Sequence, residues 1–318
     1  CYPNVYRAGM TGLTVRLLYA LFNMREDVLC ERFFLPTLKE PLRSLESNQP
    51  LEKFDVAAFT LQYEENYVNV IRMLESHVPF RRNERRLEGP LLIAGGPCAI
   101  GNPEPLAEYF DLFIIGEAED ILNPLIERVK SYKNPLKRIE EFADLEGVYV
   151  PKISNPVRRV WVRNLDDTFH PLAQQLPLVD SRSPYMPVFG ESFAVEAVRG
   201  CSRGCRFCLI GHIGRPTRER SLAKIEEIID DELHYTPVTK VSLIGADLSE
   251  YSDLESLCDL IVSRELELSI PSIRPEAITE DLAKLLVEGK QRTVSIAPDG
   301  SSLRMRRCIN KCIDDDTI

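Results

Sequence analysis

The sequence predicts an α/β protein in two parts, a doubly wound parallel sheet followed by a partial β/α barrel truncated at its carboxyl end. Three observations predict it. Short apolar runs alternate with helical patterns through residues 1–133. The same alternation starts afresh at Phe193 and continues to residue 318. Between them, residues 134–192 carry seven prolines and break the pattern. Alternating strands and helices indicate a mostly parallel sheet, with ligands at the carboxyl ends of the strands.

In the first part, residues 55–61, 91–95 and 111–116 are continuous apolar runs of strand length, as buried parallel strands require. Leu13, Leu17, Leu18 and Leu21 recur at helical spacing, as do Val70, Ile71 and Leu74, and Ile121, Leu122, Leu125, Ile126 and Val129. Tyr2-Pro3-Asn4 reads as the exit from a first strand whose beginning is missing. The middle segment is too apolar for disorder and reads as a structured linker with short β-like pieces such as residues 157–162. In the second part the expected strands are residues 193–198, 240–245, 267–270 and 293–297. The expected helices are built on Leu222, Ile225, Ile229 and Leu233, on residues 254–262 and on residues 281–286, with Ser221 as an N-cap. The last residues, from Asp314, read as the start of a further helix.

Composition narrows the class. A chain of 318 residues, 44% hydrophobic and 28% charged, is of ordinary globular type and long enough for two cores. Its 39 basic and 49 acidic residues give a net charge of −10, which argues against a general nucleic-acid binder. No apolar run approaches the length of a membrane span. Nine cysteines in a long chain do not form a secreted disulfide framework, so a reducing cytoplasm is expected. Cys308 and Cys312 sit four apart on an expected helix, a spacing that could pair them on a metal, and read more simply as small buried apolar residues.

Three cysteines stand apart from the rest. Cys201-Ser202-Arg203-Gly204-Cys205-Arg206-Phe207-Cys208 places thiols at Cys-x3-Cys-x2-Cys spacing on a loop directly after a strand. Three thiolates hold three irons of a cubane and leave the fourth iron open to a substrate. Gly200 and Gly204 suit the tight backbone path, and Arg199, Arg203 and Arg206 bring positive charge toward an anionic cluster. A zinc site of the same cysteines with His212 is the competing reading.

This loop, with an aromatic residue before its last cysteine, resembles the signature of the radical S-adenosylmethionine (SAM) superfamily. The resemblance implies a 4Fe–4S cluster on Cys201, Cys205 and Cys208 that cleaves SAM reductively to a 5′-deoxyadenosyl radical. It extends from Phe193 to the end of the chain. Gly245-Ala246-Asp247 stands where the family has Gly-Gly-Glu, which departs from the pattern but implies a contact to the SAM amino group. Pro271-Ser272-Ile273-Arg274-Pro275 stands where related enzymes meet the SAM carboxylate and ribose. Ser295-Ile296-Ala297-Pro298-Asp299 resembles a Ser-x-Ala-Pro-Glu motif of one branch. The implied SAM contacts are thus Gly245, Asp247, Ser272, Arg274, Ser295 and Asp299. Arg274 has an alternative role in an ion pair at the barrel rim, and Arg304, Arg306 and Arg307 read as a solvated helix face.

The first part resembles the Rossmann-like cobalamin-binding domains fused ahead of many radical SAM cores, over roughly its first 130 residues. Ala94-Gly95-Gly96-Pro97 leaves one strand, and another ends in Gly116-Glu117-Ala118-Glu119. The resemblance implies cobalamin contacts from Gly9, Thr60, Gly95, Gly96, Gly116 and Glu117. Many such domains place a cobalt-ligating histidine in an Asp-x-His-x-x-Gly loop. Here residues 4–12 contain no histidine, and His77, the sole histidine before residue 134, falls late in a helical pattern. Cobalamin is therefore expected without a histidine ligand, the alternative being a domain that kept the fold and lost the cofactor. Together the two resemblances imply cobalamin-dependent methyl transfer to an unactivated centre, with an electron donor such as flavodoxin or ferredoxin. Methylthiolation, ring formation and RNA modification are the other radical SAM outcomes, and a non-catalytic zinc or iron–sulfur sensor is the alternative of another class.

Overall fold

The computed structural model describes residues 1–36, 40–75, 88–236 and 238–318. The chain divides into two compact units. The first comprises Cys1–Met10 and Leu18–Val162, the second Thr11–Leu17 and Arg163–Ile318.

In the first unit, β1 (Val56–Thr60), β2 (Leu91–Gly95) and β3 (Leu112–Ile114) run parallel in that order. Then β4 (Val148–Tyr149) adds antiparallel to β3. The free edge of β1 is occupied by the first residues of the chain. The amino group of Cys1 donates to the Ala58 carbonyl at 2.6 Å, and the Thr60 amide donates to the Cys1 carbonyl at 3.1 Å. Tyr2 in turn bridges in parallel to Phe34, so a strip of strand-like chain lies where the sequence expects the end of a first strand.

Side-chain alternation makes this sheet doubly wound. Leu91, Ile93, Leu112 and Ile114 pack on one face with Ile121, Leu125 and Phe142. Leu92, Ala94 and Phe113 pack on the other with Val70, Met73, Leu74 and Phe110. Both faces are dry, which is why the strands read as unbroken apolar runs. Each large aliphatic side chain so buried contributes about 1.5–3 kcal/mol.

The proline-rich segment 134–192 is shared between the units. Residues up to 162 complete the first: the turn-helix Pro135–Phe142 buries Leu136 and Phe142, and β4 closes the sheet. Residues from 163 pack on the second without forming a strand. There the Gln174 side-chain amide donates to the Ala194 carbonyl at 2.8 Å and accepts from its amide at 3.1 Å, which satisfies the backbone groups that a hairpin partner would have used.

The second unit is an open sheet in the order β6-β5-β7-β8. Its strands β5 (Phe193–Arg199), β7 (Lys240–Gly245) and β8 (Glu267–Ser269) are parallel, while the short β6 (Arg218–Glu219) returns antiparallel to the end of β5. The helices Leu222–Tyr235, Leu254–Val262 and Glu280–Glu288 follow β6, β7 and β8. Ser221, Asp253 and Thr279 cap them by accepting from the amides of Lys224, Ser256 and Leu282. One core covers one face, with Val195, Ala197, Val241, Leu243 and Leu268 against Ile225, Ile229, Leu257 and Ile261. The opposite face carries half-exposed Glu196, Ser242 and Ile244. A sheet with a polar second face is the start of a barrel lining, and among the described residues the barrel is not closed.

Three expectations are corrected here. Residues 293–297 do not form a strand; a single bridge joins Ser295 to Ser272. The reason lies in Gln291, whose side chain bonds both the amide and the carbonyl of Ile270 and so takes the place of a ladder partner. Cys308 ends the helix Leu303–Cys308 and Cys312 lies beyond it, and both are exposed rather than buried. The helix stops because Asn310 adopts φ 58°, a conformation that ends helices. Arg306 is not on a solvated face. It is 1% exposed, donating to the carbonyls of Ile313 at 2.6 Å and Gly300 at 3.0 Å and pairing with Asp315.

Candidate functional site: the cysteine loop

The three clustered cysteines lie on the loop that leaves β5, whose last residue is Arg199. Where β5 pairs with β7 the register slips between Glu196 and Val198, a bulge that re-aims the strand just before the loop. Gly200 then takes φ +86° and Gly204 φ +68°. At Gly200 the glycine is required twice over, because a Cβ there would sit 2.1 Å from the Gly214 carbonyl oxygen. Cys205 is buried, Cys201 and Cys208 are half-buried, and none is in a disulfide.

The donor chemistry fits a polynuclear cluster. Among the described residues, one trio of metal-type ligand atoms lies within 4.8 Å of one another: Cys201, Asp247 and Glu250. Cys201, Cys205 and Cys208 do not close to that distance as a set, with or without His212. Three free thiols on one glycine-shaped loop are the donor set that holds three irons of an iron–sulfur cubane. Burial pushes the Cys201 thiol up, and the Glu250 and Asp247 carboxylates add to that, so a metal must displace its proton.

The loop arginines are already engaged. Arg199 pairs with Glu196 at 2.7 Å, Arg203 pairs with Asp247 at 3.2 Å and Glu250 at 3.4 Å, and Arg206 donates to the Cys308 carbonyl. Arg203 alone brings its charge to the carboxylates beside Cys201. Set against two carboxylates, that single charge leaves the surroundings of the first thiol negative rather than positive.

Of the residues implied for SAM, Gly245 and Asp247 stand at the end of β7, next in the sheet to the strand that leads into the loop. Asp247 accepts from the Ser249 amide at 3.0 Å and shares Arg203 with Glu250. Ser272 and Ser295 are joined by their isolated bridge beyond the end of β8, and both are exposed. Arg274 pairs with Glu276 at 2.5 Å, the rim ion pair that was its alternative role. Asp299 pairs with Lys311 at 2.5 Å and takes φ 58°. The structure thus draws Asp247 to the cysteines and engages Arg274 and Asp299 elsewhere.

The residues implied for cobalamin are mostly in use by the chain itself. A Cβ on Gly9 would meet the ring of Phe34 at 2.5 Å. One on Gly96 would meet the Leu61 carbonyl oxygen at 2.8 Å, and one on Gly116 the Val160 carbonyl oxygen at 2.3 Å. Glu117 accepts from the Val162 amide at 2.9 Å, and Thr60 from the Gln62 side chain at 2.8 Å. Gly95 is the least crowded of the set, its nearest neighbour 3.5 Å away. These glycines therefore explain close backbone packing at the strand ends and do not by themselves form a cofactor cradle. His77 lies outside the described residues, and the described residues of the first unit contain no histidine.

Sequence reasoning missed Glu250, Arg215 and Asn310, which touch the cysteine loop, and Thr217, which donates to Glu250. Nothing in their spacing announces them. The nearest signal was an acidic residue three positions past Asp247, at the end of a strand already assigned to the site.

Comparison with known proteins identifies the family. Residues 14–151 match the family described as radical SAM proteins, N-terminal, and residues 195–317 match the radical SAM superfamily. An uncharacterized protein of Methanocaldococcus jannaschii is 31% identical over 315 residues, which are 98% of this chain and 62% of the relative. The cobalamin-dependent SAM radical enzyme OxsB, solved with aqua-cobalamin and SAM, shares the fold at a TM-score of 0.55 and 15% identity, over 83% of this chain and 38% of OxsB. The radical SAM methyltransferase TsrM from Kitasatospora setae, solved with tryptophan and a SAM analogue, gives 0.54 and 16%, over 91% of this chain and 56% of TsrM. The chain therefore spans 62% of the length of the archaeal relative. Among the described residues no helix is long and apolar enough to cross a membrane. With the two matches in sequence along the chain and the cysteine loop at the end of β5, this protein belongs to the radical SAM superfamily, a domain of the radical SAM N-terminal family standing ahead of the core that carries the cysteine loop.

Proposed function

We propose that the protein is a cobalamin-dependent radical SAM methyltransferase acting on an unactivated centre. The observation that carries the SAM half is the placement of Asp247: it and Glu250 lie within 4.8 Å of the Cys201 sulfur, at the end of the strand beside the cysteine loop. When bound, the cluster supplies the electron that cleaves SAM, and cobalamin supplies a transferable methyl group. Cys201, Cys205 and Cys208 would hold three irons of the cluster and leave the fourth for the amino and carboxyl groups of SAM. Asp247 offers an anionic acceptor for the N–H of that amino group, and Arg203 pairs with the same carboxylate. Gly245, Ser272, Arg274, Ser295 and Asp299 are further contacts of the proposal, Arg274 and Asp299 exchanging their ion pairs with Glu276 and Lys311 for SAM. The cobalamin half is supported by the fold shared with OxsB and TsrM, with Gly95 as the least crowded of its expected contacts. A reducing cytoplasm and an electron-donor protein such as flavodoxin or ferredoxin complete the reading.

The test is anaerobic turnover of the full chain with SAM and a low-potential reductant, with and without cobalamin. Both S-adenosylhomocysteine and 5′-deoxyadenosine are expected, the former only when cobalamin is present. Methylthiolation also yields both products, so S-adenosylhomocysteine formation that is indifferent to cobalamin would refute methyl transfer of this kind. Bound cobalamin is expected to lack a protein nitrogen ligand, because residues 4–12 contain no histidine. Nitrogen superhyperfine splitting in the Co(II) resonance would show that expectation to be wrong.

A further inference from the structure

Glu250 closes the turn Leu248–Glu250 that follows β7, and its carboxylate reaches across to the cysteine loop. It accepts from the Ser202 amide at 3.0 Å and from the Ser202 hydroxyl, and from the Thr217 hydroxyl at 3.3 Å. It also pairs with Arg203 at 3.4 Å. These interactions draw on most of the lone-pair directions that a carboxylate offers. One side chain, 10% exposed, thereby joins the start of the loop at Ser202, its return at Thr217 and the end of β7. Asp247 does not do this: it accepts from Ser249 within its own turn and touches the loop only through Arg203. The same stretch of loop is held from other sides. Arg215 donates to the Ser202 carbonyl at 2.9 Å, and Asn310 donates to the Gly204 carbonyl at 2.9 Å and the Arg203 carbonyl at 3.2 Å.

We propose that Glu250 is a positioning residue for the cluster loop, fixing the turn at Cys201 and Ser202 against β7 and setting the negative charge beside the first cluster thiol. It acts through Ser202 and Arg203 and is not itself a ligand of the cluster. The mechanism is that of an outer-shell partner: charge-assisted bonds hold the residue next to a ligand, and loss of that partner loosens the metal. Its charge has a second consequence. An anion close to an iron–sulfur centre disfavours the extra electron, so neutralising it moves the reduction potential upward.

The proposal rests on the cluster reading, and the experiment separates the two. Wild type, Glu250→Ala, Glu250→Gln and a remote control, Glu226→Gln, are reconstituted anaerobically with iron and sulfide. Circular dichroism checks folding, iron release to a chelator is timed, and midpoint potentials are read by paramagnetic resonance. Glu250→Ala should release iron about tenfold faster than wild type, in the range seen for outer-shell partners. Glu250→Gln keeps the shape and can still accept from the Ser202 amide, so it should hold iron near the wild-type rate while its potential moves positive. The control should match wild type in both readings. Wild-type release rates and potentials in both Glu250 variants would overturn the assignment, as would an equal change in the control. Should Glu250→Ala fail to fold, an unshifted potential in Glu250→Gln overturns it alone. A wild-type protein that takes up zinc and builds no cluster would instead overturn the cluster reading beneath it.

Discussion

Alanine at any one of Cys201, Cys205 or Cys208 is expected to leave the protein without an intact 4Fe–4S cluster, whereas Cys30→Ala and Cys258→Ala should load normally. The contrast follows from where the thiols lie. The three share one loop at the carboxyl end of β5, where two glycines shape the path. A cubane held by three thiolates has no spare protein ligand, so removal of one leaves a second iron open and the cluster labile. Cys258 is 0% exposed in the helix Leu254–Val262, and burial pushes its thiol up to about 12. Burial likewise pushes the Cys30 thiol up to about 11. Neither of these thiols lies on the cysteine loop, so neither is placed to hold an iron. Cys258→Ala should cost some core stability and no iron. Iron and sulfide content with the paramagnetic resonance of the reduced protein decide the matter. Stoichiometric zinc in the wild type, with no cluster after reconstitution, would sink it.

Gly200→Ala should be the most damaging single methyl group that can be added to the loop. Its φ of +86° is unfavourable to a side chain, and the new Cβ would lie 2.1 Å from the Gly214 carbonyl oxygen and 2.8 Å from that of Pro216. These are backbone atoms, so no rotamer change relieves the contact. The conformational part costs about 1–2 kcal/mol. With the steric part the total should reach about 3 kcal/mol or more, within the class of large effects with a named cause. Thermal unfolding of the apoprotein should fall by about 6 °C or more, and reconstituted iron should fall with it. Gly190→Ala is the internal comparison, since Gly190 has φ +76° and nothing within 4 Å of its added Cβ. It should show the conformational cost alone. Equal shifts in the two variants would mean that the segment at Gly214 yields freely and that the close approach constrains nothing.

Much of the fold was legible because it is written in periodicity. Continuous apolar runs of strand length marked β1, β2 and β3, and helical spacing marked Ala118–Lys130 and Leu222–Tyr235 within a few residues of their observed ends. Burial on both faces forces such runs whatever the partner strands are. Where a segment is held by polar side chains, periodicity misleads. Residues 293–297 look like a strand, yet Gln291 takes the bonds that their partner would have offered. Arg306 sits in a run of basic residues that suggests a solvated face, yet backbone carbonyls surround it.

The candidate site divides in the same way. The sequence by itself determined the three cysteines, the strand that leads into them and the placement of Asp247 at the next parallel strand end. Those features are local, since spacing within one loop and the position of a loop after a strand do not depend on distant partners. Only the tertiary structure decided what holds the loop. Glu250 comes to Ser202 across 48 residues and Asn310 to Gly204 across 106. It also decided that Gly96 and Gly116 answer to the chain's own backbone at Leu61 and Val160. A hydrogen bond between two loops needs only one donor and one acceptor of common type, so it leaves no spacing or period in the sequence. Close approach of two backbones leaves a glycine but does not name the atom that demands it, because chain folding alone brings that atom there.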